Sequence, residues 1–296
     1  MPFVGEFSAL LTALLWSGSA LIFTTAVRRA GSFQVNITRL IFAVLYIVLL
    51  IFVMRFNVNL SISQIINLSI SGIVGLALGD TFLFKAFREI GARVSMLIMS
   101  LAPAIAALLA YFVLDETLPF LGVAGIIVTV FGICFVILDR GANPSEKISP
   151  TASGIIYALL GAAGQGVGLI FAKMAFREAE VNGFVASGVR IAAALTLLLP
   201  AAIATKRFKS PVRMFREDRK GFRLTAIGSV LGPFLGISFS LIAIQYTDVG
   251  VAAAIMAIPP ILMLPLVRFV YREKLRWPAI IGACIAVAGV VVLFLR

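Results

Sequence analysis

The sequence predicts an all-α membrane protein in which ten transmembrane helices form two inverted five-helix repeats around a central cavity. Three observations carry this reading. Of 296 residues, 61% are hydrophobic and 13% charged, and the mean hydropathy is +1.10, a composition for which a soluble fold has no use. Apolar stretches of about 20 residues, enough to cross a hydrocarbon core of about 30 Å, recur ten times. The second half of the chain also repeats the first. Laying residues 72–136 on 229–293 without a gap pairs Gly75 with Gly232, Gly79 with Gly236, Phe82 with Phe239, Met99 with Met256, Pro103 with Pro260, Glu116 with Glu273, Gly125 with Gly282 and Gly132 with Gly289. Other registers pair Phe33 with Phe184, Arg39 with Arg190 and Ala43 with Ala194, and then Gly18 with Gly166 and Leu21, Ile22, Phe23 with Leu169, Ile170, Phe171. Loop insertions between helices produce such changes of register. Five spans per repeat is an odd number, so the two copies enter the membrane in opposite senses.

The first repeat occupies residues 1–140, a linker 141–151 with Gly141, Pro144 and Ser145 follows, and the second repeat occupies 152–296. Span one, about 5–27, has no basic leader and no isolated cleavage pattern, so it reads as a retained helix; it carries Trp16 and Ser17 beside Gly18. Span two (33–54) carries Arg39 and Tyr46, and span three (63–87) the step Gly75 to Gly79 followed by Asp80. Span four (92–114) holds Met99, Ser100, Pro103 and Tyr111, and span five (119–138) holds Cys134. Span six (152–174) carries Tyr157, Gln165 and glycines 161, 164, 166 and 168; span seven (183–204) carries Arg190. Span eight (222–245) has two GxxxG steps, Gly228, Gly232 and Gly236, and ends on Gln245. Span nine (249–271) holds Met256, Pro259 and Pro260, and span ten (277–295) holds Cys284. The small residues let helix backbones approach where lipid supplies no hydrophobic drive. Pro103, Pro259 and Pro260 each remove a backbone hydrogen bond near mid-helix at corresponding repeat positions, and they are the expected hinges.

Lysine and arginine collect on one side. Connectors after odd-numbered spans carry Arg28, Arg29, Lys85, Arg88, Arg93, Arg140, Lys147, the run from Lys206 to Arg223, and Arg272, Lys274 and Arg276. The opposite side shows Arg55, Lys173, Arg177 and Arg296. The positive-inside rule then puts the richer side in the cytoplasm and both termini on the other side. The connector Lys206 to Lys220 is placed to touch anionic headgroups, so membrane lipid is an expected partner. The net charge of +12 is read as a topology signal, and nucleic acid is not an expected partner.

Histidine is absent, which removes the usual general base and the commonest transition-metal ligand. Cys134 and Cys284 do not coincide under the repeat and read as core filler. No metal or other cofactor is expected. An enzyme acting inside the membrane would need paired carboxylates, a metal or an activated nucleophile, and Asp115-Glu116, on adjacent helix positions about 100° apart, is the closest approach. A charge inside a span costs about 2.5–3.5 kcal/mol on insertion scales, so each one requires a partner or a wet cavity. Asp80 and Arg39 both lie about two turns inside their spans from the same side; a structural ion pair is the leading reading, with a gate, a proton site or a substrate site as alternatives. Arg190, the repeat mate of Arg39, is expected near the other face. Asp80 maps to Ile237, so Arg190 has no aspartate in the matching place and is free to snorkel to lipid phosphate or to meet a substrate anion. Glu116 and Glu273 read as caps closing spans four and nine. Candidate cavity residues are Trp16, Ser17, Arg39, Tyr46, Asp80, Met99, Ser100, Tyr111, Tyr157, Gln165, Arg190, Gln245 and Met256.

The pattern resembles the drug/metabolite transporter superfamily, specifically its ten-span EamA-type permeases. The resemblance rests on Ala13 to Gly18 (ALLWSG), Arg39, Gly79-Asp80 with Phe84-Lys85-Ala86, the stretch Gly91 to Leu114 with Ser100 and Pro103, Asp115-Glu116, and Pro260 with Glu273. It implies two inverted bundles around a central cavity, with spans four and nine shaping the access path, in a prokaryotic inner membrane. The function it implies is secondary or facilitative transport, as an exporter, of small metabolites such as amino acids. A translocase of lipids or amphiphiles is the alternative. No P-loop accompanies the spans, so ATP does not drive the process within this chain. A proton is a possible partner, and Asp80 is the carboxylate placed to carry it. Many members of the family keep their termini in the cytoplasm, whereas the charge pattern here argues the reverse.

Overall fold

A computed structural model describes residues 3–113, 119–138, 151–205, 208–247, 252, 255–271 and 277–293. Every regular element among them is helical. Eight helical stretches are long and apolar enough to cross a membrane, and two shorter ones, Pro259–Val270 and Trp277–Leu293, fall in the expected ninth and tenth spans. Helix α1 (Val4–Ala30) turns at Gly31, whose φ of 89° suits glycine, into α2 (Ser32–Met54). Span three runs as α3 (Ile62–Gly72), a π-helical segment Ile73–Gly79, and α4 (Asp80–Glu89). Span four is divided into α5 (Gly91–Met99) and α6 (Ala102–Val113), and span five is α7 (Phe120–Leu138). The second half supplies α8 (Ala152–Glu178), α9 (Gly183–Ala204), a short α10 (Pro211–Glu217), then α11 (Arg219–Ser229), a second π segment Val230–Gly236, α12 (Ile237–Tyr246), α13 (Pro259–Tyr271) and α14 (Trp277–Leu293).

Two irregularities recur at corresponding repeat positions. The π segments match residue for residue, and each closes by an i→i+5 bond: the Asp80 N–H to the Gly75 carbonyl, and the Ile237 N–H to the Gly232 carbonyl. The extra residue in such a turn rotates the succeeding stretch of helix about its axis, so these two π turns aim Asp80 and Ile237. Pro233 inside the second segment has no N–H to give to a regular helix. The second irregularity is a break. Helix α5 stops at Met99 and α6 begins at Ala102, while α13 begins at Pro259, the mate of Ala102. Ahead of Pro103 the backbone tightens, with Leu101 N–H on the Ile98 carbonyl at 3.0 Å; ahead of Pro260, Ile258 N–H bonds the Ile255 carbonyl at 3.2 Å. The expected kinks are therefore breaks bridged by tightened turns, each followed within two residues by a proline.

The two halves interlock. Helix α1 packs on α11, the second π segment and α12, while α8 packs on α3, the first π segment and α4. A Cβ on Gly164 would stand 2.7 Å from the Gly79 Cα, and one on Gly236 would stand 2.7 Å from Trp16 Cδ1. Gly164 is the repeat mate of Trp16, so the same crossing is filled by backbone on one side and by an indole on the other. Gly125 of α7 abuts Gly289 and Leu293 of α14, and Gly132 abuts Gly282 and Ala286, which makes these helices antiparallel.

Several expectations are corrected here. Cys134 and Cys284 are exposed free thiols, not core filler; a helix apolar all round gives no sequence signal for which face meets lipid. The long basic connector folds locally: Ser210 caps α10, whose first residue is Pro211, and Asp218 caps α11 through the Gly221 N–H at 3.0 Å. Glu116, Glu273, Asp115 and the greater part of the linker lie outside the described residues. Exposed Phe52, Phe112, Phe120 and Phe269 cover the outside of the bundle, a surface suited to acyl chains.

Candidate functional site

A cavity of about 150 Å³ opens where α1, α2, α4, both helix breaks, α8, α9 and α12 converge, the volume scale of a site that holds a benzene-sized solute. Trp16, Phe23, Leu83, Phe84, Met99 and Met256 supply apolar wall, and Arg39, Asp80, Gln165, Arg190, Ser100 and Ser240 the polar groups. Pro103, Pro259 and Pro260 line it as well. Of the residues singled out from sequence, it gathers Trp16, Arg39, Asp80, Met99, Ser100, Gln165, Arg190 and Met256.

The others lie elsewhere. Ser17 is buried and donates to the Ala13 carbonyl at 2.7 Å. Tyr46 packs on Phe42 and Phe234, and Tyr157 stacks on Phe82 beneath Lys85. Tyr111 is 48% exposed on the outside of α6, and Gln245 is not among the lining residues. Sequence reasoning missed Phe23, Phe84 and Ile237. The repeat alignment contained a signal for two of them, since Phe23 sits in the matched run on Phe171 and Ile237 is the mate of Asp80.

The charged side chains are almost fully withdrawn: Arg39 and Asp80 are each 4% exposed and Arg190 3%. Arg39 donates through Nη2 to Asp80 Oδ2 and through Nε to Asn36 Oδ1 at 2.9 Å, and Asn36 in turn donates to Thr81 Oγ1 at 2.8 Å. Its guanidinium lies 4.6 Å from the Phe84 ring centroid and 5.7 Å from that of Phe23, two rings that are themselves 5.0 Å apart and so flank it from one side. Gln165 Nε2 donates to Asp80 Oδ1 at 2.7 Å and to the Gly75 carbonyl at 3.2 Å. The Gly75 carbonyl thus accepts twice, from the Asp80 N–H that closes the π turn and from Gln165.

Arg190 differs from the expectation of a snorkelling side chain. Instead of sitting toward the other face, it reaches the same cavity as Arg39, because α3 crosses α9 with Gly72 directly on the Arg190 carbonyl and Gly75 leaves room beside the Arg190 guanidinium. Asp80 lies within electrostatic reach of it. Yet its Nε has no hydrogen-bond partner among the described residues, and neither has the hydroxyl of Ser187 one turn earlier on α9. Ser187 is the repeat mate of Asn36, whose longer side chain satisfies Arg39. Two guanidinium groups thus face one carboxylate, leaving a buried excess of positive charge. Among the described residues no group of three or more His, Cys, Asp or Glu side chains converges.

The fold is shared with 28 chains of known structure. One of them, a crystal structure, superposes with a TM-score of 0.68 over 97% of each chain at 18% identity, which speaks for the fold alone. No curated protein matches the sequence. Residues 3–138 and 152–295 each match the EamA-like transporter family, whose two matched stretches are the two repeats around this cavity. The chain belongs to the EamA-like transporter family, within the drug/metabolite transporter superfamily, a family of membrane transporters and not of enzymes.

Proposed function

We propose that the protein is a secondary or facilitative transporter that exports small metabolites such as amino acids, by alternating access between two inverted repeats. The observation that carries this is the pairwise make-up of the cavity wall. Arg39 and Arg190, Asp80 and Ile237, Leu83 and Ser240, Met99 and Met256, Ser100 and Ala257, and Pro103 and Pro260 are repeat mates, and all of them line it. A site shared by mates lies where the two halves meet, which is where rocking of one half against the other exposes it to each side in turn. The helix breaks at Ser100-Leu101 and Ile258 supply the hinges, since the backbone there is held by i→i+3 turns and not by a continuous α-helical ladder. The antiparallel packing of α7 on α14 supports the inverted arrangement.

The basic end of the bundle supports a cytoplasmic placement for the connectors after odd spans. There Arg29 binds Asp218 and Arg28 lies beside Gly91. Counterflow in proteoliposomes tests the function: pooled unlabelled amino acids and polar metabolites are loaded inside, and entry of each labelled compound is followed. Saturable entry that Arg190→Gln abolishes supports the proposal. Folded protein that exchanges none of these solutes but moves a labelled lipid between leaflets would replace it with the amphiphile translocase.

A further inference from the structure

We infer that the cargo carries one carboxylate and that Arg190 binds it, in the place that Asp80's carboxylate takes beside Arg39 in the other repeat. The inference rests on the transport reading and names its substrate class as organic monoanions with an apolar body.

The argument is one of broken symmetry. In the first repeat the buried arginine is paired: Asp80 takes its Nη2 and Asn36 its Nε. The second repeat places Arg190, Ile237 and Ser187 at the three corresponding positions. Ile237 offers no charge, Ser187 is too short to replace asparagine, and both the Arg190 Nε and the Ser187 hydroxyl are buried without a partner among the described residues. An unpaired buried charge is among the costliest features a protein keeps, and at 3% exposure the Arg190 side chain is open only to what enters the cavity it lines. A carboxylate docked on the cavity side of the second guanidinium would pair its charge and bring the cluster to neutrality, two cations against two anions.

Asp80 is committed to the first repeat, with Arg39 on Oδ2 and Gln165 on Oδ1, and its one negative charge faces two guanidinium groups. Had Ile237 been acidic, each repeat would have closed its own ion pair and the cavity would have had nothing to recognise an anion. The rest of the wall sets the body of the ligand. Trp16, Phe23, Phe84, Met99 and Met256 surround the polar cluster, so an apolar chain or ring is buried while the carboxylate is bound.

The test uses a reporter already in the wall. The chain has two tryptophans, Trp16 in the cavity and Trp277, which is 75% exposed. In the Trp277→Phe protein, the fluorescence of Trp16 is titrated with hexanoate, with hexanamide and with hexylammonium at neutral pH. Hexanoate is expected to give a saturable change, with the amide and the ammonium weaker by about tenfold or more, the scale of a lost charge-assisted hydrogen bond. Arg190→Gln should weaken hexanoate by a similar factor, and Arg190→Lys by less. Ile237→Asp should abolish hexanoate binding by supplying the missing carboxylate internally, whereas Ile237→Asn, equally polar but neutral, should retain it.

Equal responses to hexanoate and hexanamide, full binding in Arg190→Gln, or no hexanoate response in folded protein would each overturn the inference. Counterflow of neutral or cationic solutes without anion preference would overturn it while leaving transport in place. Hexanoate binding without counterflow of any solute would leave the anion site in place and remove transport.

Discussion

Arg39 and Arg190 hold corresponding places in the two repeats and differ only in what surrounds them. A buried ion pair adds little net stability over a well-packed apolar pair, but removing one partner strands the other, at about 3–5 kcal/mol. Asp80→Leu is therefore expected to lower the thermal stability of the solubilised protein sharply, and Arg39→Met combined with Asp80→Leu to recover most of the loss; equal instability in single and double variants would show that the pair is not the cause. Asp80→Asn keeps the shape and Gln165's neighbour, and should remove any pH-driven component of transport, read as uptake at two external pH values. Unchanged pH dependence would take Asp80 out of the coupling. At the basic end of the bundle, the Arg29 fork donates to both Asp218 oxygens, at 3.0 Å from Nε and 2.6 Å from Nη2. Those bonds, with the Gly221 N–H, hold the Asp218 carboxyl below the usual carboxylate range against the opposing effect of burial. A folded-state value below the unfolded one, about 3.9, means the contribution is present above that pH and is lost as pH falls through the folded value. Solvent around Arg29, 42% exposed, keeps it small. Proteolysis of the connector ahead of α11 should accelerate at acid pH in the wild type and become less pH-dependent in Asp218→Asn, which still caps the helix.

At the scale of elements, glycines decide which helices touch. A methyl group on Gly72 would run into the Arg190 carbonyl carbon and oxygen, whereas a Cβ on Gly18 meets nothing nearer than Leu231 Cδ1 at 3.9 Å. Gly72→Ala is accordingly expected to separate α3 from α9, destabilise by about 1–3 kcal/mol or more, and disturb anion binding by moving Arg190. Gly18→Ala should be neutral or stabilise by about 0.5–1 kcal/mol, as alanine does in a helix interior. Melting temperatures of the two variants, measured side by side, distinguish a packing requirement from mere helix propensity. The glycine spacing was visible in sequence as GxxxG steps. Their partners were not, because a GxxxG pattern states that something approaches closely without saying what: Gly79 meets Gly161 and Gly164, while its mate Gly236 meets Trp16. The π segments had no sequence signal in the first half, where no proline stands at the position of Pro233.

For the whole molecule, the exchange of first helices is the main fact. Helix α1 is tied to the second half at both ends, by Arg29 with Asp218 and by the Thr247 hydroxyl donating to Glu6 at 2.9 Å, and α8 lies along the third span of the first half. Neither repeat buries its small-residue faces without the other. Residues 1–140 and 152–296 produced separately should be degraded or protease-sensitive in the membrane, and co-expression should restore a protected complex; two independently resistant halves would contradict the interlock.

By itself the sequence determined the membrane character, the approximate spans, the repeat and the presence of Arg39, Asp80 and Arg190 within the spans, because hydropathy and self-similarity are properties of the chain that lipid enforces locally: each span must satisfy its own backbone bonds. It also determined that Asp80 has no acidic mate. Only the tertiary structure decided that Arg190 turns to the same cavity as Arg39 and not to lipid, that the cysteines face outward, and that Tyr111 and Tyr157 stand clear of the site. Which face of a uniformly apolar helix points inward depends on the neighbour it meets, and that neighbour lies in the other half of the chain.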